Sequence, residues 1–393
     1  MHHFDYLHDH MSEIFYKSPE AFNKNTDRDV LSYALGATLY MPAIRENIAR
    51  DIISCKHKGL VSTVLCLEDA IGEGEIQAAE QNLVAQIKMI NKAAVSGKLP
   101  VQNIPMIFIR VRNPEQMKAV VEQLSENAGI LTGFVFPKFA ANEKGLKYLS
   151  ELEELNKRQD GPFYGMPILE GPEVIYSERR LESLLKIKEL VTAYRKYILN
   201  IRLGATDFSG LFGIRRGPDI TIYDIITIRD CLADILNLFT RAEDNYVVSG
   251  PVWEYFSNGG RLLKPQLRRS PFEEYYGTTG ARIRTQLLNK YVDGLIREVI
   301  LDKENGIIGK TIIHPSHILP VQSLYVVSHE EYLDALSIVN NNGETGVAKS
   351  EYTNKMNEIK PHLQWAKKIL HRAQIYGVFH EQHNFTSILS EKI

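Results

Sequence analysis

The stretch STVLCLEDAIGEGEIQAAEQNLVAQI, residues 62–87, shows in one unit how the chain is organised. A short apolar, β-branched run from Ser62 to Leu67 ends on two acids, Glu68 and Asp69, and passes into a segment of helix composition. That succession predicts a buried strand, a polar turn and a crossover helix. The same pattern recurs at Thr38 to Met41, Met106 to Val111, Gly133 to Phe136, Met166 to Leu169, Ile201 to Gly204, Tyr246 to Val248 and Lys310 to Ile313. Between these runs lie helix-like segments, among them Ile44 to Lys58, Glu75 to Ala94, Pro114 to Glu126, Glu143 to Leu155, Glu178 to Tyr194 and Ile222 to Leu238.

Successive parallel strands need a crossover, and eight such units can close on themselves, so the reading is a (β/α)8 TIM barrel. The competing open, doubly wound sheet lacks support, because no run is followed by GxGxxG, and Gly204 to Gly213 has neither that spacing nor a later acid. The expected division is an N-terminal arm over 1–35, the barrel over 36–325, and a helical C-terminal extension over 326–393.

Bulk composition narrows the function. At 393 residues, with 44% hydrophobic and 24% charged residues and a net charge of -2, the chain has no overall bias toward nucleic acid or an acidic membrane. Cys55, Cys66 and Cys231 have no paired spacing, which argues against disulfides and zinc and for the cytoplasm. No apolar run is long enough to span a bilayer, and the N-terminus lacks a charged-then-apolar signal pattern. His2, His3, His8 and His10 are expected in a solvated terminal arm.

Barrel enzymes place their chemistry where the strands end. Here those ends carry Glu68 and Asp69, Arg110 and Arg112, Lys138, Glu170, Asp207 and His314. Each alone could be a helix cap or a rim charge, but together, with both signs present, they cannot be buried without pairing or a metal. Glu170 and Asp207 follow consecutive strands and suit Mg²⁺, which takes one or two carboxylates and keeps water (Mn²⁺ is the alternative ion). A metal there would polarise a carbonyl, while Arg110 would grip a carboxylate or oxyanion. Lys138 admits a second reading as an imine-forming lysine. His314 reads as a packed, hydrogen-bonded residue at the mouth.

Seven stretches, LYMPAIREN (39–47), VLCLEDAIGEGE (64–75), IRVRN (109–113), GFVFPKF (133–139), PILEGPEVI (167–175), LGATDFSGLFG (203–213) and GIIGKTIIHPSHILPVQ (306–322), occur in an order that resembles the HpcH/HpaI aldolase and citrate lyase family. The resemblance is to citrate lyase beta subunits and malyl-CoA or citramalyl-CoA lyases. It implies Glu170 and Asp207 as Mg²⁺ ligands, Arg110 as the substrate-polarising arginine, and Glu68 and Asp69 as the acidic pair beside the metal water. It also implies a homotrimer or homohexamer in which a C-terminal carboxylate reaches a neighbour. In the matching stretch, KMNEIKPHLQWAKKIL (355–370), Ile359 stands where the family has Asp, and Glu358 precedes it. Glu358 is the candidate proton carrier.

Two departures bear on the substrate. The first strand runs into Pro42-Ala43-Ile44-Arg45 where the family commonly has Pro-Gly, which makes Arg45 a candidate substrate contact. Residues 258–290 form a basic insertion with Arg261, Lys264, Arg268, Arg269, Arg282 and Arg284, which reads either as a solvated loop or as a lid for phosphate or polycarboxylate. Arg215 and Arg216 could join it. The expected activity is a carbon–carbon lyase or aldolase acting through an enolate on a 2-oxo or 3-hydroxy acid or its CoA thioester. The alternatives are a non-catalytic metabolite- or partner-binding barrel and an imine aldolase on Lys138.

Overall fold

The computed structural model describes residues 1–158, 161–256, 277, 279–280, 290–341, 346–352 and 354–390. Eight strands form one parallel sheet: β1 Ala37–Pro42, β2 Ser62–Cys66, β3 Met106–Arg110, β4 Gly133–Phe136, β5 Tyr164–Leu169, β6 Ile201–Leu203, β7 Val248–Ser249 and β8 Lys310–Ile312. Each pairs in parallel with its sequence neighbour from β1 to β7, and β8 pairs with β1. A parallel bridge between Gly250 and Lys310 closes β7 against β8 and makes the sheet a barrel.

Seven of the expected runs became strands at or within about two residues of their positions. The exception in register is the run at Tyr246, where pairing begins only at Val248, opposite Ile201, and continues to Ser249 opposite Arg202. Strands β2, β3, β4 and β5 are buried throughout, because helices cover the outside and side chains fill the inside.

The covering helices are α1 Ile48–Ile53, α2 Ile76–Val95, α3 Pro114–Leu124, α4 Glu143–Arg158, α5 Ser177–Ala193, α6 Ile226–Phe239, α7 Lys290–Glu304 and α8 Ile318–Ser323. Their starts follow local chemistry. At α3, the Gln116 amide donates to Asn113 Oδ1 at 2.8 Å and Pro114 occupies the first turn, where its missing N–H costs nothing. Helix α2 buries Leu83, Ile87 and Ile90 at helical spacing against the sheet.

The N-terminal segment packs below the barrel against the C-terminal one; His8 and His10 are exposed as expected, but His3 corrects the expectation of a solvated arm. His3 is fully buried, stacked on Tyr376 with ring centroids 4.4 Å apart, and bonded to the Ala34 carbonyl. Phe4, Leu7, Ile14 and Phe15 are buried with it. The strand Phe15–Lys17 pairs antiparallel with Val378–Phe379. Sequence composition concealed this, because the apolar residues are scattered among histidines and acids. Beyond the barrel, α9 His329–Asn340 and α10 Ile359–Tyr376 share a second, smaller core containing Ile338, Ile359, Ala366 and Ile369.

One ionic cluster lies between the barrel and α7. Lys310 Nζ donates to Glu298 at 2.9 Å and Asp302 at 2.7 Å, all three fully buried. Arg216 joins from the other side, bonding Glu298 and Glu254 with its guanidinium 4.8 Å from the Trp253 ring centroid. Among the described residues, no helix is long and apolar enough to cross a membrane.

Candidate active site

The site forms because β2 to β6 end in polar residues at one face of the barrel. Arg110 Nη2, at the end of β3, lies 2.6 Å from Glu68, 2.7 Å from Asp69 and 3.3 Å from Glu170. Lys138 Nζ, after β4, donates to Glu68 at 2.7 Å and Asp69 at 3.2 Å, and stands 3.9 Å from Asp207. Asp69, Lys138, Glu170 and Asp207 line one cleft of about 930 Å³, walled by Asn142, Gly171, Pro172, Ser183, Lys186, Thr206 and Leu211.

Backbone geometry shapes this cluster at two points. Lys138 has φ of 48°, which a side chain bearing a Cβ adopts at a cost, and there its amide donates to Glu170 Oε1 at 2.8 Å. Gly204, between β6 and Asp207, leaves room that a side chain would fill: a Cβ there would lie 2.3 Å from both Glu170 Cβ and Oε2. The loop carrying Glu68 and Asp69 is held by Arg112, which donates to the carbonyls of Leu67 at 2.8 Å and Ile71 at 2.9 Å and to Glu73 at 2.9 Å.

Charge is unevenly compensated. Glu68, Asp69, Glu170 and Asp207 face two cations, Arg110 and Lys138. Burial pushes the Glu170 carboxyl up to about 8; Arg110 opposes the rise, Asp207 adds to it, the Lys138 amide opposes it and Glu68 adds again. Asp69 is held below the ordinary carboxylate range: burial works against its charge, but the hydrogen bond with Glu68 and the charges of Arg110 and Lys138 outweigh it. Burial likewise opposes the charge of Lys138, yet Glu68 and Asp69 hold it above the ordinary lysine range.

A buried carboxylate beside a second carboxylate with water access is a donor set that fits Mg²⁺. The acids around Arg110 and Lys138 outnumber these two cations, and Gly204 keeps open a space at Glu170 Oε2 that a cation could take. Among the described residues no three His, Cys, Asp or Glu side chains group as a cage, so two carboxylates with water and substrate oxygens would have to complete the shell.

Other expected residues lie elsewhere. Arg45 turns to Asp51 at 2.6 Å and does not line the cleft. Arg216 is buried in the ionic cluster, so it is not free to join an anion-binding lid; Arg215 is exposed and also outside the cleft. Glu358 ends the strand Met356–Glu358, exposed, just before α10, and does not line its own barrel's cleft. His314 stacks on Phe256 at 4.5 Å and bonds Ser316 at 2.7 Å, a packed rim residue. Of the basic insertion, Arg261, Lys264, Arg268, Arg269, Arg282 and Arg284 lie outside the described residues.

Sequence reasoning missed the parts that several residues play. Arg112 was legible as a strand-end charge but not as the clasp of the neighbouring loop. Asn142 reaches the cleft from the loop before α4, and Ser183 and Lys186 from α5, where polar residues are expected on a solvent face.

A closed eight-stranded barrel with paired acids and cations at the carboxyl ends of its strands defines a TIM-barrel enzyme. The chain belongs to the C-C bond lyase family of the TIM-barrel fold, whose model matches residues 29–378, and it is accordingly a carbon–carbon lyase. Among solved structures, a citrate lyase from Burkholderia xenovorans LB400 is similar at 13% identity and a TM-score of 0.57, covering 93% of this chain and 96% of the other. The protein CitE from Mycobacterium tuberculosis, solved with magnesium, acetoacetate and coenzyme A, is 18% identical with a TM-score of 0.49, covering 87% and 99%. A malate synthase from Haloferax volcanii is 11% identical with a TM-score of 0.49, covering 77% and 76%. No curated protein matches.

Proposed function

We propose that the chain is a Mg²⁺-dependent lyase that makes or breaks a carbon–carbon bond through an enolate of a 2-oxo or 3-hydroxy acid, free or as its CoA thioester. The observation that carries this reading is the pairing of buried Glu170 with Asp207 in one cleft, with Arg110 in contact with Glu170. Glu170 and Asp207 would hold the ion. Bound there, Mg²⁺ supplies Lewis acidity that favours negative charge on a substrate oxygen.

The chain's own groups do the rest. Arg110 presents a rigid, permanently charged guanidinium to the substrate's oxygen or carboxylate. Glu68 and Asp69 hold Arg110 and Lys138 in place and offer acceptors to ordered water. Lys138, kept charged by those acids, serves as a cation rather than an amine nucleophile, which disfavours imine chemistry. Glu358 carries a proton only where a neighbouring copy's C-terminal segment reaches this mouth. The reading includes residues 36–325 as the catalytic unit, 326–393 as its extension, a homotrimer or homohexamer, and a cytoplasmic setting.

The test is solvent deuterium exchange into the methyl group of pyruvate, measured by NMR with and without Mg²⁺. Exchange that needs the metal and is lost in Asp207→Asn supports the lyase. Absence of exchange with pyruvate, oxaloacetate and a thioester under saturating Mg²⁺ would instead favour a barrel that only binds a metabolite or partner.

A further inference from the structure

A row of mostly buried charges links β8 to the short helix Ala205–Leu211, which carries Asp207. Asp302 and Glu298 share Lys310, at 2.7 and 2.9 Å, while Glu298 and Glu254 share Arg216, whose Nε lies 3.2 Å from Glu254. Acids and cations alternate along the row, and an acid stands at each end. Among the described residues each end acid has one shared cation and also accepts from a hydroxyl: Tyr223 donates to Asp302 at 2.7 Å, and Thr206 donates to Glu254 at 2.8 Å. A carboxylate largely removed from water holds such a donor more tightly than a neutral acceptor does.

The hydroxyl at the Glu254 end belongs to the residue next to Asp207, and Thr206 and Asp207 both line the cleft. Ala205, Phe208 and Ser209 are buried and pin their helix to the barrel, but its first turn has no side-chain cap. On the other side Thr206 is exposed, and among the described residues the ion-pair partner of Asp207 is Lys138 at 3.9 Å, too long for a hydrogen bond. Sideways placement of Asp207 therefore falls to its backbone, and the Thr206 hydroxyl ties that backbone to a fixed point. Glu254 is fixed because Arg216, which holds it, also donates to the Val252 carbonyl, packs 4.8 Å from the ring centroid of fully buried Trp253, and accepts at its own carbonyl from Tyr255.

We infer that Glu254 is a positioning residue for Asp207, acting through the Thr206 hydroxyl. Its consequence for metal affinity rests on the reading of Asp207 as a Mg²⁺ ligand. Glu254 does not itself line the cleft, so its influence reaches the site through Thr206. Mg²⁺ demands near-ideal octahedral geometry, and a carboxylate that drifts on a loosened helix loses affinity that a fixed one keeps. Freedom gained at position 206 is thus read at position 207.

The experiment pairs calorimetric titration with Mg²⁺ and amide hydrogen exchange over 205–211 in the metal-free chain. Thr206→Val keeps the β-branched shape and removes only the hydroxyl. It is expected to weaken Mg²⁺ about tenfold and to speed that exchange about tenfold, while the melting temperature moves by no more than about 3 °C. Glu254→Ala is expected to do the same, and the double variant to lose no more than either alone, because both changes remove one contact. Thr206→Ser keeps the hydroxyl, and Glu254→Gln can turn its amide oxygen to Arg216 and its NH₂ to Thr206, so both are expected to bind Mg²⁺ within about threefold of the wild type. Affinity and exchange unchanged in Thr206→Val, losses in Thr206→Val and Glu254→Ala that add, or a loss in Thr206→Ser as large as in Thr206→Val, overturn the assignment. If the wild type fails to bind Mg²⁺ while Thr206→Val and Glu254→Ala still speed exchange over 205–211 without adding, the metal–enolate reading falls and the positioning of Asp207 by Glu254 stands.

Discussion

Glu170 sits where the competing terms nearly balance. Its pKa of about 8 in the fold lies well above the ordinary carboxyl value of about 4.3, so the folded state binds the proton more tightly than the unfolded one. The stabilisation this lends the metal-free protein is complete below the unfolded value and is lost as pH rises toward 8. Relative to Glu170→Gln, the metal-free wild type is expected to lose on the order of a few kcal/mol between pH 5 and pH 9 in chemical denaturation. Mg²⁺ should restore the wild type and leave the glutamine variant unchanged. Parallel stability curves for the two proteins would refute the claim that burial governs this group. Lys138 permits a second test at this scale: because Glu68 and Asp69 hold it protonated, borohydride with pyruvate should leave no covalent adduct on its peptide, and a chelator should abolish activity.

At the scale of elements, the site depends on how closely strand ends approach one another. Gly204 lets β6 pass the Glu170 carboxylate, and its own φ of -106° is ordinary, so the requirement is space rather than backbone freedom. Gly204→Ala should cost about 1–3 kcal/mol by overpacking and weaken Mg²⁺ about tenfold, as read by thermal melts and calorimetry. Unchanged metal affinity would show that Glu170 can move aside. The Arg112 clasp predicts a different outcome. Arg112→Ala should leave stability nearly intact but speed amide exchange in the loop carrying Glu68 and Asp69 and lower kcat, since those acids hold Arg110 and Lys138.

The whole molecule is held together at two places remote from the cleft. The ends meet beneath the barrel, where His3, Phe4, Phe15, Tyr376 and Phe379 pack and the two terminal strands pair. Deleting residues 1–17 would remove several buried apolar side chains, each worth about 1.5–3 kcal/mol, and should abolish cooperative melting. A shortened chain that melts like the full one would mean the arm is an ornament. At the side of the barrel, Lys310→Met would leave Glu298 and Asp302 facing each other without their shared cation, at a cost of about 3–5 kcal/mol. Burial already raises the Asp302 carboxyl, so low pH should relieve part of the loss in the variant.

Alternation of strand and helix, with an ionisable residue after most strands, was enough to determine the barrel and to single out Glu68, Asp69, Arg110, Lys138, Glu170 and Asp207. Those properties are local: a strand's period and the residue that follows it are written in adjacent positions. What only the tertiary structure decided depends on which strands become neighbours across space. It turned Arg45 toward Asp51, drew Arg216 into a buried cluster with Glu298 and placed His3 under the barrel. It also set Tyr40 against Arg202 on a strand far along the chain, a contact that neither residue shows in its own segment.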